Sequence, residues 1–239
     1  MTTPVRLSKR LVELISCSRK EAELYIAGGW VMVDGQMVDK PQFMVSQLEK
    51  IELHPDASLA PIAPVTILFH QPPVTGTNAD SAQQLIRTDT RAADDRSGIH
   101  INKQHFARLK QGIALEKNAS GLSVFTQDFR VARKLIDEAA TIEQEYIVEI
   151  AGELPPDGLK QLNHGLSFNG RTLPPIKVSW QNETRLRFAL KGAQPGQIAH
   201  MCKSVGLQVL AMKRIRIGRM SMAKLQPGLW RYLMPYERF

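Results

Sequence analysis

Leu109-Lys110-Gln111-Gly112-Ile113-Ala114-Leu115-Glu116-Lys117-Asn118-Ala119-Ser120-Gly121-Leu122-Ser123-Val124-Phe125-Thr126 is the stretch on which the reading of this chain turns. A polar loop, Glu116 to Gly121, passes directly into an apolar run, Leu122 to Phe125, the pattern of a loop packed against the start of a buried strand. One carboxylate, Glu116, stands at the mouth of the loop beside small residues that let a backbone or a ligand come close. A Glu followed by Lys is most often a solvated surface pair, so the surrounding chain has to decide what Glu116 is for.

Downstream, Thr126-Gln127-Asp128-Phe129-Arg130 leads into a helix through Val131, Leu135 and Ile136. Glu143 to Ile150 alternates with period two and predicts a strand with one polar face. Leu159 to Leu162 predicts a short helix, and Arg185 to Leu190 another alternating strand. A Gly- and Pro-containing turn, Gly192 to Gly196, opens a helix from Gln197, and Val209 to Gly218 predicts a strand that carries Lys213, Arg214 and Arg216, with Arg219 beyond it. Upstream, Val65 to Phe69 is a short β-rich run ending in His70-Gln71-Pro72-Pro73. Residues 75 to 105 are polar with few apolar anchors and predict little structure.

The first 53 residues form a pattern of their own. Leu7, Leu11, Leu14 and Ile15 fall on one helical stripe. Ser18-Arg19-Lys20-Glu21 is a capping-box start for a second helix that Gly28-Gly29 ends. Trp30 to Val33 and Gln36 to Val38 read as a hairpin closed by Asp34-Gly35. Residues 54–64, rich in Pro and small side chains, read as a semi-rigid linker. The domains expected are therefore 1–53, a linker at 54–64, and 65–239.

The chain has 239 residues and a net charge of +8, with 43% hydrophobic and 23% charged residues. That is the balance of a globular protein with a sizeable core. From Lys191 to Phe239 there are nine Lys and Arg, Lys191 included, against a single acid, Glu237. This surplus points to a phosphate-rich partner. Cys17 and Cys202 are too few and too distant for a disulfide framework, and the histidines lack metal-ligand spacing, so no metal is expected. No apolar run approaches a membrane span and the N-terminus lacks a signal-peptide core, so a cytoplasmic protein without a membrane partner is expected. Nothing suggests an interface between copies, and a monomer is the default.

Leu115 to Leu122, Leu-Glu-Lys-Asn-Ala-Ser-Gly-Leu, resembles the Leu-Asp-Lys-x-Thr-Ser-Gly-Leu loop of pseudouridine synthases in the branch containing RsuA and RluF. The family's catalytic Asp corresponds to Glu116, and the Arg two residues before it to Ala114. Tyr146 matches the second motif, whose Tyr stacks on the flipped-out uracil. Gln197, Ile198, Met201, Val205, Gly206 and Leu207 fit the third, a Gly-Lys-Asn-Arg-like turn followed by Gln-Ile-Arg-Arg-Met, with Ala199 and His200 at the two later Arg positions. His70 and Gln71 replace the Asn and Lys of an Asn-Lys-Pro turn. The first segment resembles the alpha-L RNA-binding domain, in which the face of the two helices meets structured RNA.

The resemblance implies an α+β fold: a small alpha-L RNA-binding module of two helices and a hairpin, then a larger pseudouridine-synthase-like domain with a mixed, mainly antiparallel sheet. It implies an isomerase that converts uridine to pseudouridine in structured, ribosomal RNA without a cofactor. Glu116 and Tyr146 would be catalytic. Arg6, Lys9, Arg10, Ser18, Arg19, Lys20, Lys213, Arg214, Arg216 and Arg219 would meet RNA. The extra methylene of Glu116 displaces the carboxylate by on the order of 1 Å, enough to cost roughly a hundredfold in rate. Loss of the Arg at Ala114 removes an orienting partner, with Lys117 the nearest substitute cation in sequence. The alternative is a catalytically inactive RNA-binding protein on the same scaffold, acting in ribosome assembly or RNA recognition. A small-molecule hydrolase built on Glu116 and a histidine lacks a second placed carboxylate or nucleophile.

Overall fold

A computed structural model describes residues 4–73, 80–116 and 118–239. The chain divides into two compact units: residues up to Pro64 together with His100–Ala107, and Val65–Ile99 together with Arg108–Phe239.

The first unit contains β1 (Val5–Arg6), α1 (Leu7–Ile15), α2 (Arg19–Ala27), β2 (Val31–Val33), β3 (Gln36–Val38), β4 (Met44–Val45) and β5 (Ile51–Leu53). The helical stripe closes on the strands: Leu7 and Leu11 of α1 and Ala22 and Ile26 of α2 share a core with Val31, Val33 and Val45. Strand β2 lies between β3 and β5, and β1 pairs with β4. Asp34 and Gly35 both take positive φ (48° and 78°), the geometry of the tight hairpin turn that Asp-Gly favours. Ser18 caps α2 as its sequence demands: its hydroxyl accepts from the Glu21 amide at 3.2 Å, while its own amide donates to the Glu21 carboxylate at 2.7 Å. Ser18→Ala is expected to cost about 1 kcal/mol, seen as a lower urea midpoint at unchanged slope.

His100–Ala107 joins this unit through polar and aromatic contacts. The His100 ring stacks on Trp30 with centroids 4.1 Å apart, and its Nε2 lies 3.1 Å from the Gly29 carbonyl. Asn102 donates to the Ala27 carbonyl and Lys103 pairs with Asp39. The contacts named here are polar and aromatic, and hydrophobic periodicity gives no sign of them.

The second unit begins with β6 (Thr66–Gln71) and α3 (Asp80–Gln84), followed by β7 (Lys110–Gln111), β8 (Ser120–Thr126), α4 (Phe129–Ile136), β9 (Glu143–Ala151) and α5 (Gly158–Asn163). Then come β10 (Ser167–Phe168), β11 (Arg171–Thr172), β12 (Lys177–Asn182), β13 (Arg185–Lys191), α6 (Gln197–Ser204), β14 (Gln208–Ile217), β15 (Met220–Ser221) and β16 (Trp230–Tyr232). One mixed sheet runs β12-β13-β9-β14-β8-β6-β16, with β15 on β14 and β7 on β8. Among the described residues β8 and β14 are the parallel pair of named strands, and the other named strand pairs of the sheet are antiparallel. The fold is thus the α+β arrangement that the sequence led us to expect. Helix α6 contributes Ile198, Met201 and Cys202 to a core with Tyr146, Val148, Leu186 and Phe188. A second core joins Leu68, Leu122, Val124, Leu135 and Ile217.

Two features of this sheet position the candidate site. The first is a row of residues in register across five strands: Phe188, Tyr146, Arg214, Gly121 and Gln71. Gly121 is required in this row, because a Cβ there would come within 2.2 Å of the Arg214 carbonyl oxygen and its φ is +113°. Gly121→Ala is expected to cost about 3 kcal/mol, combining overpacking with backbone strain, measurable by chemical denaturation.

The second feature is a register shift between β14 and β9 from Arg214 to Arg216. One extra residue in β14 reverses the alternation of faces. Arg214 is buried, whereas Arg216 pairs with Glu143 and Glu145.

Candidate active site

Glu116 lies four residues before β8, and Leu115 and Ala119 on either side of it pack against the core that contains Tyr146. Its Oε2 accepts the amide of Gly196 at 2.7 Å, and the Ile198 amide also bonds to the carboxylate. These are orphan donors of the first turn of α6, whose N-cap, Gly196, has no side chain to offer. A carboxylate eighty residues away in sequence therefore caps this helix and faces the positive end of its dipole. The other oxygen, Oε1, is buried without a hydrogen-bond partner. Burial raises the Glu116 pKa, opposed by the two amides, and the net shift is upward. Among the described residues no ion pair reaches Glu116, and Lys117 lies outside them. In the third-motif pattern an Arg precedes Gln-Ile, and in this sequence Gly196 stands at that position.

Arg214 belongs to the frame of the site. It is 0% exposed. Its Nη2 donates to the Ile113 carbonyl at 2.7 Å, Nη1 to Ala114 at 2.9 Å, and Nε to Leu122 at 2.9 Å. It thus grips the chain on both sides of the Glu116 loop. Nη1 also reaches Gln144 Oε1 at 2.9 Å, an oxygen that accepts the Tyr146 hydroxyl at 3.0 Å. The expectation that Arg214 touches RNA is corrected: a fully enclosed guanidinium whose donors are spent on protein oxygens has no path to a phosphate. Sequence reading missed Gly196 and Gln144. A signal for the first was present, a glycine at an arginine position of the motif. Gln144 follows from strand parity once Tyr146 is known to face inward.

Tyr146 is 1% exposed and burial raises its pKa. Glu116 is close enough to act electrostatically on its phenol, so the loop and strand motifs do converge. The Tyr146 ring, however, is packed in the core and offers no open face to a base. The Asn-Lys-Pro turn has no counterpart either. His70 and Gln71 continue β6 as buried residues, His70 with Nδ1 2.7 Å from the Leu225 carbonyl and Gln71 accepting the Ser123 hydroxyl at 2.8 Å. Ala199 and His200 are exposed on α6, and His200 Nε2 lies 3.1 Å from the Ser167 carbonyl.

The remaining basic candidates divide by occupation. Arg6, Lys9, Arg19 and Lys20 are exposed, with Arg19 paired to Glu23 and the half-buried Arg10 to Glu13. Ser18 is exposed, but its hydroxyl is engaged in the cap of α2. On the second unit Lys213 and Arg219 are exposed, and among the described residues neither is ion-paired; Arg216 is held by two glutamates. Lys213 lines a groove of about 560 Å³ with Ser120, Ile147, Arg185 and Arg187, on the side of β9 opposite Tyr146. Among the described residues no cluster of three or more His, Cys, Asp or Glu could hold a metal ion, and no helix is long and apolar enough to cross a membrane.

Comparison with known proteins places this architecture. No protein-family model matches the chain. A crystal structure of a pseudouridylate synthase superposes with a TM-score of 0.59 over 96% of both chains at 17% identity, so the fold is that of a pseudouridine synthase. Among curated sequences the chain is 25% identical to an uncharacterized RNA pseudouridine synthase of Aquifex aeolicus, covering 98% of this chain and 94% of that protein. It is 26% identical to the ribosomal small subunit pseudouridine synthase A of Vibrio cholerae, covering 98% and 97%. Over nearly its full length the chain is thus similar to curated pseudouridine synthases of the RsuA and RluF type.

Proposed function

We propose that this protein is an RNA pseudouridine synthase acting on structured ribosomal RNA, with Glu116 where RsuA/RluF-type enzymes carry aspartate. The observation that carries this reading is the convergence of the Glu116 loop and Tyr146 at one core on the homologous scaffold, with Glu116 held half-buried at the start of α6. The reaction breaks the glycosidic bond of a uridine, turns the base and rejoins it through carbon, and needs no cofactor. Glu116 would act at the sugar. The base must leave its stack, at a cost of a few kcal/mol, and Tyr146 would receive it once its ring is uncovered. The basic residues of both units favour an RNA partner, and the names of the relatives, ribosomal synthases, favour ribosomal RNA. The cytoplasm is the matching compartment.

A second reading has its own support: a non-catalytic RNA-binding protein on this scaffold, serving ribosome assembly or RNA recognition. It is favoured by the burial of Tyr146 and by a Glu116 carboxylate met by amides instead of a guanidinium. Pseudouridine mapping of ribosomal RNA from cells with and without the gene, with Glu116→Ala added back, separates the two. Loss of a modified site that the variant does not restore supports the synthase. An unchanged map with specific RNA recovered on the protein supports the binder.

A further inference from the structure

The first unit carries a groove of about 630 Å³, within the ~300–1,000 Å³ typical of ligand sites. It combines two kinds of wall. Val5 and Val12 line it and are packed against the core of the unit, so that side is an apolar wall. Met44 lies at its edge, 51% exposed. Arg6, Lys9 and Arg19 supply its cations, and Pro4 and Ser8 complete the lining. Arg6 and Lys9 form no ion pair among the described residues, and Arg19, though paired with Glu23, keeps a side chain 72% exposed.

A bare phosphate backbone would satisfy the cations and leave the hydrocarbon unused, because a phosphate keeps its hydration and gains nothing from Val5, Val12 or Met44. A base within a duplex is stacked and paired and does not present its face. The ligand that matches both walls is anionic at one end and flat and apolar at the other. We propose that the first unit recognises an unpaired nucleotide of RNA, its base seated on Val5, Val12 and Met44 and its flanking phosphates held by Arg6, Lys9 and Arg19. Guanidinium groups also stack on bases, which gives Arg19 a part in both contacts. This rests on the RNA-binding reading above and goes beyond it, since the groove selects a bulge or loop over a regular helix.

The test uses the full chain and three labelled hairpin RNAs of one sequence: fully paired, with one bulged adenosine, and with that bulge abasic. The bulged hairpin is expected to bind about tenfold more tightly than the other two, the worth of one stacked base. Met44→Ala is expected to shrink that preference to about threefold or less while leaving the salt dependence unchanged. Arg6→Ala with Lys9→Ala is expected to weaken all three alike and flatten the salt dependence by about two counterions. Equal binding of the three hairpins overturns the inference and leaves the RNA reading intact. Failure to bind any of them at low salt overturns both.

Discussion

Arg214→Ala is expected to destabilise the protein by about 4 kcal/mol or more, the largest single-residue effect on stability. The guanidinium donates to four oxygens, three of them backbone carbonyls that flank the Glu116 loop. A hydrogen bond to a charged group contributes about 1.5–3 kcal/mol, and each carbonyl orphaned in the interior costs about 1–3 kcal/mol. Relaxation and water entry recover part of that sum. In a chain of this length the loss corresponds to a fall of about 10 °C in Tm. Arg214→Lys is expected to recover less than half, because an ammonium keeps the charge but cannot reach Ile113, Ala114 and Leu122 together as the planar fork does. Thermal and urea unfolding of the two variants checks this; a loss below about 1 kcal/mol for Arg214→Ala would contradict the role assigned to it.

Glu116→Gln is expected to reduce pseudouridine formation by about a thousandfold or more if Glu116 is the reacting carboxylate, while RNA binding changes little. The same variant reports on the cap of α6 through pH. Burial raises the Glu116 pKa in the folded protein above its ordinary value, so the folded state holds this proton more tightly than the unfolded chain. Its stabilising contribution is present in full below the ordinary glutamate range and is lost as pH rises through the raised folded value. Gln keeps an oxygen for the Gly196 amide without a buried charge. The gap in Tm between the variant and the native protein should therefore move in favour of Gln as pH is raised across that window. A gap independent of pH would show that the carboxylate does not titrate from the site described. Single-turnover assays on ribosomal RNA read the catalytic part separately.

Much of the architecture was legible along the chain. The stripe of Leu7 and Leu11, the capping box at Ser18, the Asp34-Gly35 turn and the alternation in Glu143 to Ile150 each specify a local structure with one face to bury. Period and capping are short-range properties, and the elements formed where they were expected. The ordered loop, strand and turn motifs also led to the scaffold before any strand pairing was known.

Tertiary structure decided the chemical environment of the site. Alternation alone puts Arg214 and Arg216 on the same face of β14; the register shift against β9 separates them, and a bulge depends on the partner strand as much as on the sequence that carries it. Glu116 looks like an ordinary surface carboxylate until the first turn of α6 brings two unpaired amides to it across eighty residues. Tyr146 reads equally well as a stacking platform or a core residue, and the packing of α6, Phe188 and Leu186 makes it the latter in this conformation. Helix and strand formation are governed by residues within a turn or two of one another, so sequence determines them directly. Burial, charge compensation and pKa depend on which distant groups meet, and only the assembled sheet determines that.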